Sequence, residues 1–366
     1  MLKTSDRIIG VDLAKIVAML LVVAVHVNGF GLPYVGNNPP GLVYLFLRSF
    51  LGAIFCACIN IFAISSGFVG IASSFKMSRI IRLWIQVVFT GLAVLVCLDF
   101  FTDIDVQINE YLKACIPIAK EEYWYMTAYF MLCFVMPVFN AGIKYLAQNE
   151  LRNLVLILLG VICLESFVCS VGALGVEGGY SFEWLLVLYM VGAYIRLYNP
   201  LNKPKLALLG SACVSAMIAG WMPLVMQRFT FSTGVHIPRL FEFSGYTSPF
   251  TVIIAVCIFA LCLKVRIDSE RSRRIVGLLS STTLGVYLIH VQPMFFQEVF
   301  GRCVAKFTVY GGGGYLFTLI FLTCGIYVAC TLLDFLRILL FCGIEGILAN
   351  RTSKLCSFSC ERGKSG

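Results

Sequence analysis

Three ionisable side chains share one predicted helix face in the first apolar segment, IIGVDLAKIVAMLLVVAVHVNGFG. His26 follows Lys15 by eleven positions and Asp12 by fourteen. At about 100° per residue, an α-helix brings all three side chains within roughly 40° of a common direction. Ionisable groups inside a bilayer face protein or water and indicate function by default, and a neutral His suits general-base chemistry near pH 7. The stripe therefore predicts a functional site that includes His26.

The helices that must position this stripe are predicted from hydropathy. The chain has 366 residues, of which 60% are hydrophobic and 13% charged, and its mean hydropathy is +0.91. Because this apolar content far exceeds that of soluble domains, and a membrane helix needs about 20 apolar residues, we predict an all-α polytopic membrane protein with about ten transmembrane helices. The predicted spans lie near residues 8–30, 43–73, 80–100, 123–142, 151–173, 181–198, 205–226, 247–265, 277–299 and 315–341.

The basic residues predict the orientation of these spans. With a cytoplasmic N-terminus, most of the 28 Lys and Arg residues fall in inner segments, as the positive-inside rule requires. An even number of spans places both termini in the cytoplasm. We expect residues 1–350 to form a single transmembrane domain and residues 351–366 a basic cytoplasmic tail that contacts membrane lipids. Topology explains the net charge of +9 better than nucleic acid binding does, because the basic residues are scattered in short loops.

The cysteines predict neither a metal site nor a disulfide framework. Most of the 16 Cys residues lie within apolar runs, where they serve as small buried hydrophobic side chains. Their spacing does not match that of zinc ligands. We therefore expect no metal cofactor.

Four stretches of the chain resemble the integral-membrane acyltransferase-3 family, which includes bacterial O-acetyltransferases of surface polysaccharides and of the enterobacterial common antigen. Each motif is weakly specific alone, but together they resemble the family in order, spacing and topology over nearly the whole chain. The stretches are RIIGVDLAKIVAMLLVVAVH, FAISSGFVG, EEYWYMTAYFMLCFVMPVF and LLSSTTLGVYLIHVQPMF.

Two of these stretches supply the ionisable residues of the resemblance. In the first, a basic residue is followed by His after ten intervening positions, and Lys15 stands where the family usually has Arg. Because Lys is a point charge and Arg a planar fork, this difference matters at a phosphate site. The fourth stretch is similar to a late signature that ends in His, here His290.

The resemblance implies a membrane O-acyltransferase, and most simply an O-acetyltransferase. Such an enzyme would move an acyl group from cytoplasmic acetyl-CoA to a hydroxyl of a cell-surface glycan or lipid-linked saccharide, in a bacterial plasma membrane. We expect the catalytic residues to be His26 as general base, His290 as a second acid–base or orienting group, and Asp12. The other expected site residues are Lys15, Arg79 and Arg82 for the donor, and Glu122, Trp124 and Tyr287 for the acceptor.

Other interpretations fit the same residues. Ten spans with embedded charges also suit a proton-coupled transporter, although no internal repeat is evident, and a third possibility is a non-catalytic membrane sensor. Asp12 and Lys15 are three residues apart and could form a local ion pair. Either His could be a structural residue that bonds to a neighbouring helix. Glu122 and Trp124 could be an ordinary loop charge and an interfacial aromatic residue.

Overall fold

Every regular element in the part of the chain that the structure describes is a helix, which confirms the predicted all-α class. The computed structural model describes residues 7–30, 32, 41–118, 122–168, 176–233 and 243–362. The helices are α1 (Ile9–Gly29), α2 (Leu42–Phe55), α3 (Cys58–Gly70), α4 (Met77–Phe101), α5 (Ile108–Cys115), α6 (Trp124–Tyr145), α7 (Gln148–Val168), α8 (Phe182–Tyr198), α9 (Lys205–Thr233), α10 (Pro249–Leu263), α11 (Glu270–His290), α12 (Arg302–Ala305) and α13 (Gly311–Arg362).

Several of these helices have the length and apolar composition of membrane spans. Within the described residues, six meet both criteria, with α2 and α3 counted together, and a bent pair that includes α11 raises the number to seven. Helices also form at the predicted spans that these criteria leave out, namely α7, α8 and α10. The chain is therefore a multi-pass membrane protein.

Two predicted spans are interrupted. The run predicted at 43–73 is divided into α2 and α3 by a short turn. The run predicted at 277–299 bends by 92° after His290. Pro293 explains the second break, because proline lacks a backbone donor and disfavours helical conformation in the residue before it. Within the bend, the Gln292 side chain accepts a hydrogen bond at 2.8 Å from the backbone N–H of Phe295, the first residue of a π-helical segment, Phe295–Gly301.

α1 lies at the centre of the bundle. It packs against α2, α3, α10, α11 and α13. Small residues permit this close packing, since Ala14 and Ala18 are fully buried. The polar stripe of α1 is therefore surrounded by other helices, as an ionisable stripe in a membrane requires.

The last helix is longer than predicted. The span expected at 315–341 begins at Gly311, and its backbone remains helical as far as Arg362. This helix continues into the region predicted as a basic tail at 351–366, and residues 363–366 lie outside the described part of the chain.

Candidate active site

Two polar pairs join α1 and α11. From the middle of α11, the Ser280 hydroxyl donates at 2.7 Å to Oδ1 of Asp12, which lies in the first turn of α1. Near the end of both helices, His26 Nδ1 lies 3.1 Å from His290 Nε2. Because the pairs follow the same order along both chains, α1 and α11 run in the same direction. The structure thus brings together the two histidines that close separate sequence motifs.

The backbone fixes the tautomer of the neutral His pair. His290 Nδ1 lies 2.5 Å from the carbonyl oxygen of Val286, which can only accept a hydrogen bond. Nδ1 of His290 therefore carries the proton, and its Nε2 accepts one from His26 Nδ1. This assignment leaves His26 Nε2 with a lone pair, and no group among the described residues bonds to it. His26 therefore has the arrangement of a general base.

Aromatic rings surround the His pair beyond the bend in α11. The ring of Phe296 meets His26 edge-on, with the two ring centroids 5.0 Å apart. Phe300 lies 6.0 Å from the His290 ring. His290 itself is fully buried. The bend at Pro293 thus folds an aromatic segment against the pair, in which His290 is buried and His26 half-buried.

A cavity of about 470 Å³ lies between α1, α3, α4, α6 and α11. On α1 it is lined by Lys15, Met19 and Val22, and on α11 it reaches from Ser280 to Tyr287. Val22 lies four residues before His26, which corresponds to about 6 Å along a helix, and Tyr287 lies three before His290. The cavity therefore extends along the α1–α11 interface to within one helical turn of the His pair.

The two ends of the cavity differ in chemistry. Its mouth is lined by the cations Lys15, Lys76 and Arg79. Its deep end contains the rings of Tyr125 and Tyr287, whose centroids are 5.9 Å apart. An elongated ligand with an anionic end would place that end at the cations and its other end near the aromatic rings.

The predicted donor-binding residues occupy different positions. Lys15 and Arg79 line the cavity, and Arg79 also donates to the Ser74 carbonyl at 3.3 Å. Arg82 is exposed and does not line the cavity. Lys76, at the start of α4, lines the mouth instead. Arg82 lies about one helical turn beyond Arg79 on α4, and the sequence does not show which side of this helix faces the cavity.

Asp12 bonds to Ser280 on the cavity wall and lies far from the His pair. Fourteen residues separate it from His26, which corresponds to about 21 Å along an ideal helix, so it cannot orient the His26 ring. Its Oδ1 atom accepts the Ser280 bond, and the structure records no ion pair between Asp12 and Lys15 within the described residues. The side chains share a helix face, but the length of the helix separates the carboxylate from the base.

The residues predicted to bind the acceptor also lie in different regions of the structure. Tyr287 lines the deep end of the cavity, whereas Glu122 and Trp124 do not line it. Trp124 belongs to an aromatic cluster in which its ring lies 4.6 Å from Tyr180 and 6.2 Å from Tyr246. Burial, followed by the nearby negative charge of Glu110, raises the pKa of the Glu122 carboxyl above its usual value.

The Trp124 cluster lies near the His pair and away from the mouth. Tyr123, which immediately precedes Trp124, donates through its hydroxyl to the Leu288 carbonyl at 3.2 Å. Leu288 is two residues from His290, so the start of α6 packs beside the end of α11. The Trp124 cluster therefore lies toward the C-terminal end of α11, which carries His290.

The cavity wall carries three polar atoms that sequence reasoning did not connect. Ser65 Oγ and Gln86 Nε2 are buried and have no hydrogen-bond partner among the described residues, and the buried Tyr287 hydroxyl has none of standard geometry there, although the Tyr125 backbone lies close to it. All three residues line the cavity, from α3, α4 and α11 respectively. Their types gave no sequence signal, because an isolated Ser or Gln within an apolar run is equally compatible with a helix contact.

Comparison with known families decides the class of protein. A model of an acyltransferase domain family, acyltransferase-3, matches residues 8–335. The chain belongs to the acyltransferase-3 family. No curated protein and no solved structure matches it. The acyltransferase-3 match includes both histidines and every helix that lines the cavity.

This acyltransferase-3 chain is therefore a membrane enzyme that transfers acyl groups other than aminoacyl groups. Within the described residues, no group of three or more His, Cys, Asp or Glu side chains could hold a metal ion. Acyl transfer by this family requires a donor, a hydroxyl-bearing acceptor of carbohydrate or similar type, and a means of moving a proton. The cavity, the Trp124 cluster and the His pair are the regions in this acyltransferase where these functions can be sought.

Proposed function

We propose that this enzyme transfers an acetyl group from cytoplasmic acetyl-CoA to a hydroxyl of a cell-surface glycan or lipid-linked saccharide, with His26 as general base. The observation that carries the proposal is the unpartnered Nε2 of His26, one turn beyond a cavity with a cationic mouth. A base with a fixed tautomer, close to the end of a cavity with a cationic mouth, suits O-acylation by an anionic acyl donor.

The proton moves through one atom of His26. Nε2 removes the proton from the acceptor hydroxyl as its oxygen attacks the thioester carbonyl carbon. The carbon–sulfur bond then breaks, and the departing CoA thiolate takes the proton back from Nε2. During this cycle the Nδ1–H of His26 remains bonded to His290 Nε2, which stabilises the positive charge that the ring carries transiently. His290 is therefore a positioning residue in this mechanism.

The donor enters through the cationic mouth. Lys15, Lys76 and Arg79 bind phosphate groups of acetyl-CoA, and the acyl end reaches toward Tyr287. We place this mouth on the cytoplasmic side, in a ten-span arrangement with both termini in the cytoplasm. The arrangement counts α7, α8 and α10 as spans, and it is supported by the distribution of basic residues in the sequence. Asp12 contributes by holding Ser280 at the mouth.

The acceptor approaches from the outer side. The Trp124 cluster offers an indole face and phenol groups, which suit stacking and hydrogen bonding with a sugar ring. Glu122, two residues before Trp124, can accept hydrogen bonds from sugar hydroxyls. Donor and acceptor then meet at the His pair from opposite ends of the α1–α11 interface.

The test is a transfer assay with the full chain in proteoliposomes. Acetyl-CoA labelled in the acetyl group is supplied together with lipid-linked saccharides and polysaccharide extracted from bacterial envelopes. We expect label to appear in the saccharide fraction as an ester that mild base releases. Absence of labelled ester, in membranes where the folded protein is shown to be present, would contradict acetyl-CoA-dependent O-acetylation. Labelled lipid in place of labelled saccharide would contradict the proposed acceptor.

A further inference from the structure

The three unpartnered polar atoms on the cavity wall lie at a similar depth. Tyr287 is seven residues past Ser280 on α11, and Gln86 is seven past Arg79 on α4. Ser65 is five residues before Gly70, the last residue of α3, which also lines the cavity. At about 1.5 Å per residue, each of the three lies roughly 7 to 11 Å deeper than its reference residue.

These atoms border the cavity from three separate helices. Contacts at the deep end support their placement, since the Tyr125 ring lies 5.9 Å from Tyr287 and 6.3 Å from Phe62. Phe62 is one helical turn before Ser65 on α3. We refer to Ser65, Gln86 and Tyr287 as the polar collar. Unpartnered buried atoms also occur in other parts of the bundle, but these three share one cavity.

A buried polar atom without a partner destabilises a protein, and in a membrane bundle water does not freely supply one. The collar offers two donors, Gln86 Nε2 and the Tyr287 hydroxyl, together with a hydroxyl at Ser65 that can also accept. A secondary amide carries one carbonyl acceptor and one N–H donor, so it can satisfy groups of both kinds at once. A purely apolar chain in the same position would leave all three atoms unsatisfied.

We propose that the polar collar binds one amide group of the acyl donor, namely the amide that lies nearest to the thioester. The enzyme selects its donor partly by recognising this amide. The inference rests on the proposed function, in which acetyl-CoA enters through the cationic mouth. Gln86 Nε2 donates to the amide carbonyl and Ser65 Oγ accepts from the amide N–H. Tyr287, one turn before His290, donates to the carbonyl next to sulfur. The collar thereby fixes how far the acyl group reaches toward His26.

Two short acetyl donors of equal length test this inference. S-acetyl-N-acetylcysteamine contains the amide, and S-pentyl thioacetate has methylene groups in its place. With the purified enzyme and a saccharide acceptor, we expect a higher kcat/KM for the amide donor. Ser65→Ala and Gln86→Met should each lower this preference about 3- to 10-fold, the effect of losing one neutral hydrogen bond.

The chain supplies a matched control in the neighbouring residue. Ser66 also lines the cavity, but its hydroxyl already donates to the Phe62 carbonyl at 2.9 Å. We therefore expect Ser66→Ala to keep the amide preference of the wild type. A wild-type enzyme that uses acetyl-CoA without preferring the amide donor would overturn the collar. So would equal losses of preference in Ser65→Ala and Ser66→Ala. Failure of the wild type to use acetyl-CoA would instead contradict the proposed function.

Discussion

The two ends of the α1–α11 interface carry polar pairs of opposite character. Toward the mouth, Ser280 donates to the buried carboxylate of Asp12, and the cations Lys15, Lys76 and Arg79 line the cavity there. At the deep end, His26 and His290 form a neutral pair packed against aromatic rings. The same pair of parallel helices thus provides one region suited to binding charge and another suited to moving a proton. The distance between the regions explains how a long donor can be held at one end and react at the other.

Substitution of the base should have the largest effect. We expect His26→Gln to lower the rate of acetyl transfer by about 10² to 10⁴, the usual contribution of a general base. Gln keeps a polar side chain of similar size but cannot take up the proton. The measurement is the initial rate of labelled ester formation, and a folding control is the thermal unfolding midpoint in detergent. A rate within threefold of the wild type would exclude His26 as the base.

The second effect concerns how His290 positions His26. Replacement by Leu removes the acceptor for the His26 Nδ1–H, and we expect the rate to fall roughly tenfold to hundredfold. Gln can present its side-chain oxygen where Nε2 of His290 lies, so His290→Gln should recover much of the loss. The pH–rate profile should change shape in the Leu variant and be largely restored in the Gln variant. Equal losses in both variants would show that shape, and not the hydrogen bond, is what His290 provides.

Substitution of Lys15 at the mouth of the cavity should change the affinity for acetyl-CoA. Lys15→Met removes a charge from the cavity wall, and we expect acetyl-CoA to bind about tenfold to hundredfold more weakly. Lys15→Arg retains the charge and should bind acetyl-CoA about as tightly as the wild type does. Isothermal titration with a non-hydrolysable acetyl-CoA analogue would measure both variants. Unchanged affinity in Lys15→Met would remove Lys15 from the donor site.

Gly285 lies on α11 between Ser280 and His290, and a substitution there should destabilise the packing of α11 against α13. A Cβ added at Gly285 on α11 would overlap the carboxylate of Asp334. Asp334 is buried and accepts from Arg337 Nε at 2.5 Å. We expect Gly285→Ala to destabilise the fold by about 1 to 3 kcal/mol, as overpacking typically does. The unfolding midpoint should therefore fall, whereas Gly325→Ala, with open space around it on α13, should not lower it. Equal midpoints for the two variants would contradict the packing of α11 against α13.

The smallest effect is expected at the Trp124 cluster. Trp124→Ala should raise KM for the saccharide acceptor about 3- to 10-fold, since an aromatic contact contributes roughly 0.5 to 1.5 kcal/mol. KM for acetyl-CoA should not change, because Trp124 does not line the donor cavity. A change in KM for acetyl-CoA, without a change in KM for the saccharide, would place this cluster in the donor site.

Hydropathy and helix periodicity predicted the helical class, which the structure confirms, because both depend on local composition. His26 and His290 were both selected from motifs, yet their contact across 264 positions depends on tertiary packing. The role of the Val286 carbonyl in fixing the tautomer also lay outside sequence reasoning, since every residue has a carbonyl.

The differences between the predicted grouping of residues and their observed positions have a common physical origin. Asp12 shares a helix face with His26, but a shared face does not bring two residues close together along the axis. Arg82 was grouped with Arg79 by its position in a basic cluster, although only Arg79 lines the cavity. Pro293 was visible in the sequence, but the 92° bend that it permits depends on what packs beyond it. Local sequence patterns thus identified candidate residues, and the packing of the helices determines which of these residues lie close together.

The central claim is that binding and proton transfer occupy opposite ends of one interface. Steady-state kinetics with acetyl-CoA as the varied substrate, measured side by side for Lys15→Met and His26→Gln, test it most directly. The account predicts that Lys15→Met raises KM and leaves kcat near that of the wild type, while His26→Gln lowers kcat and leaves KM little changed. A fall in kcat of similar size in both variants, with no change in KM for Lys15→Met, would contradict it.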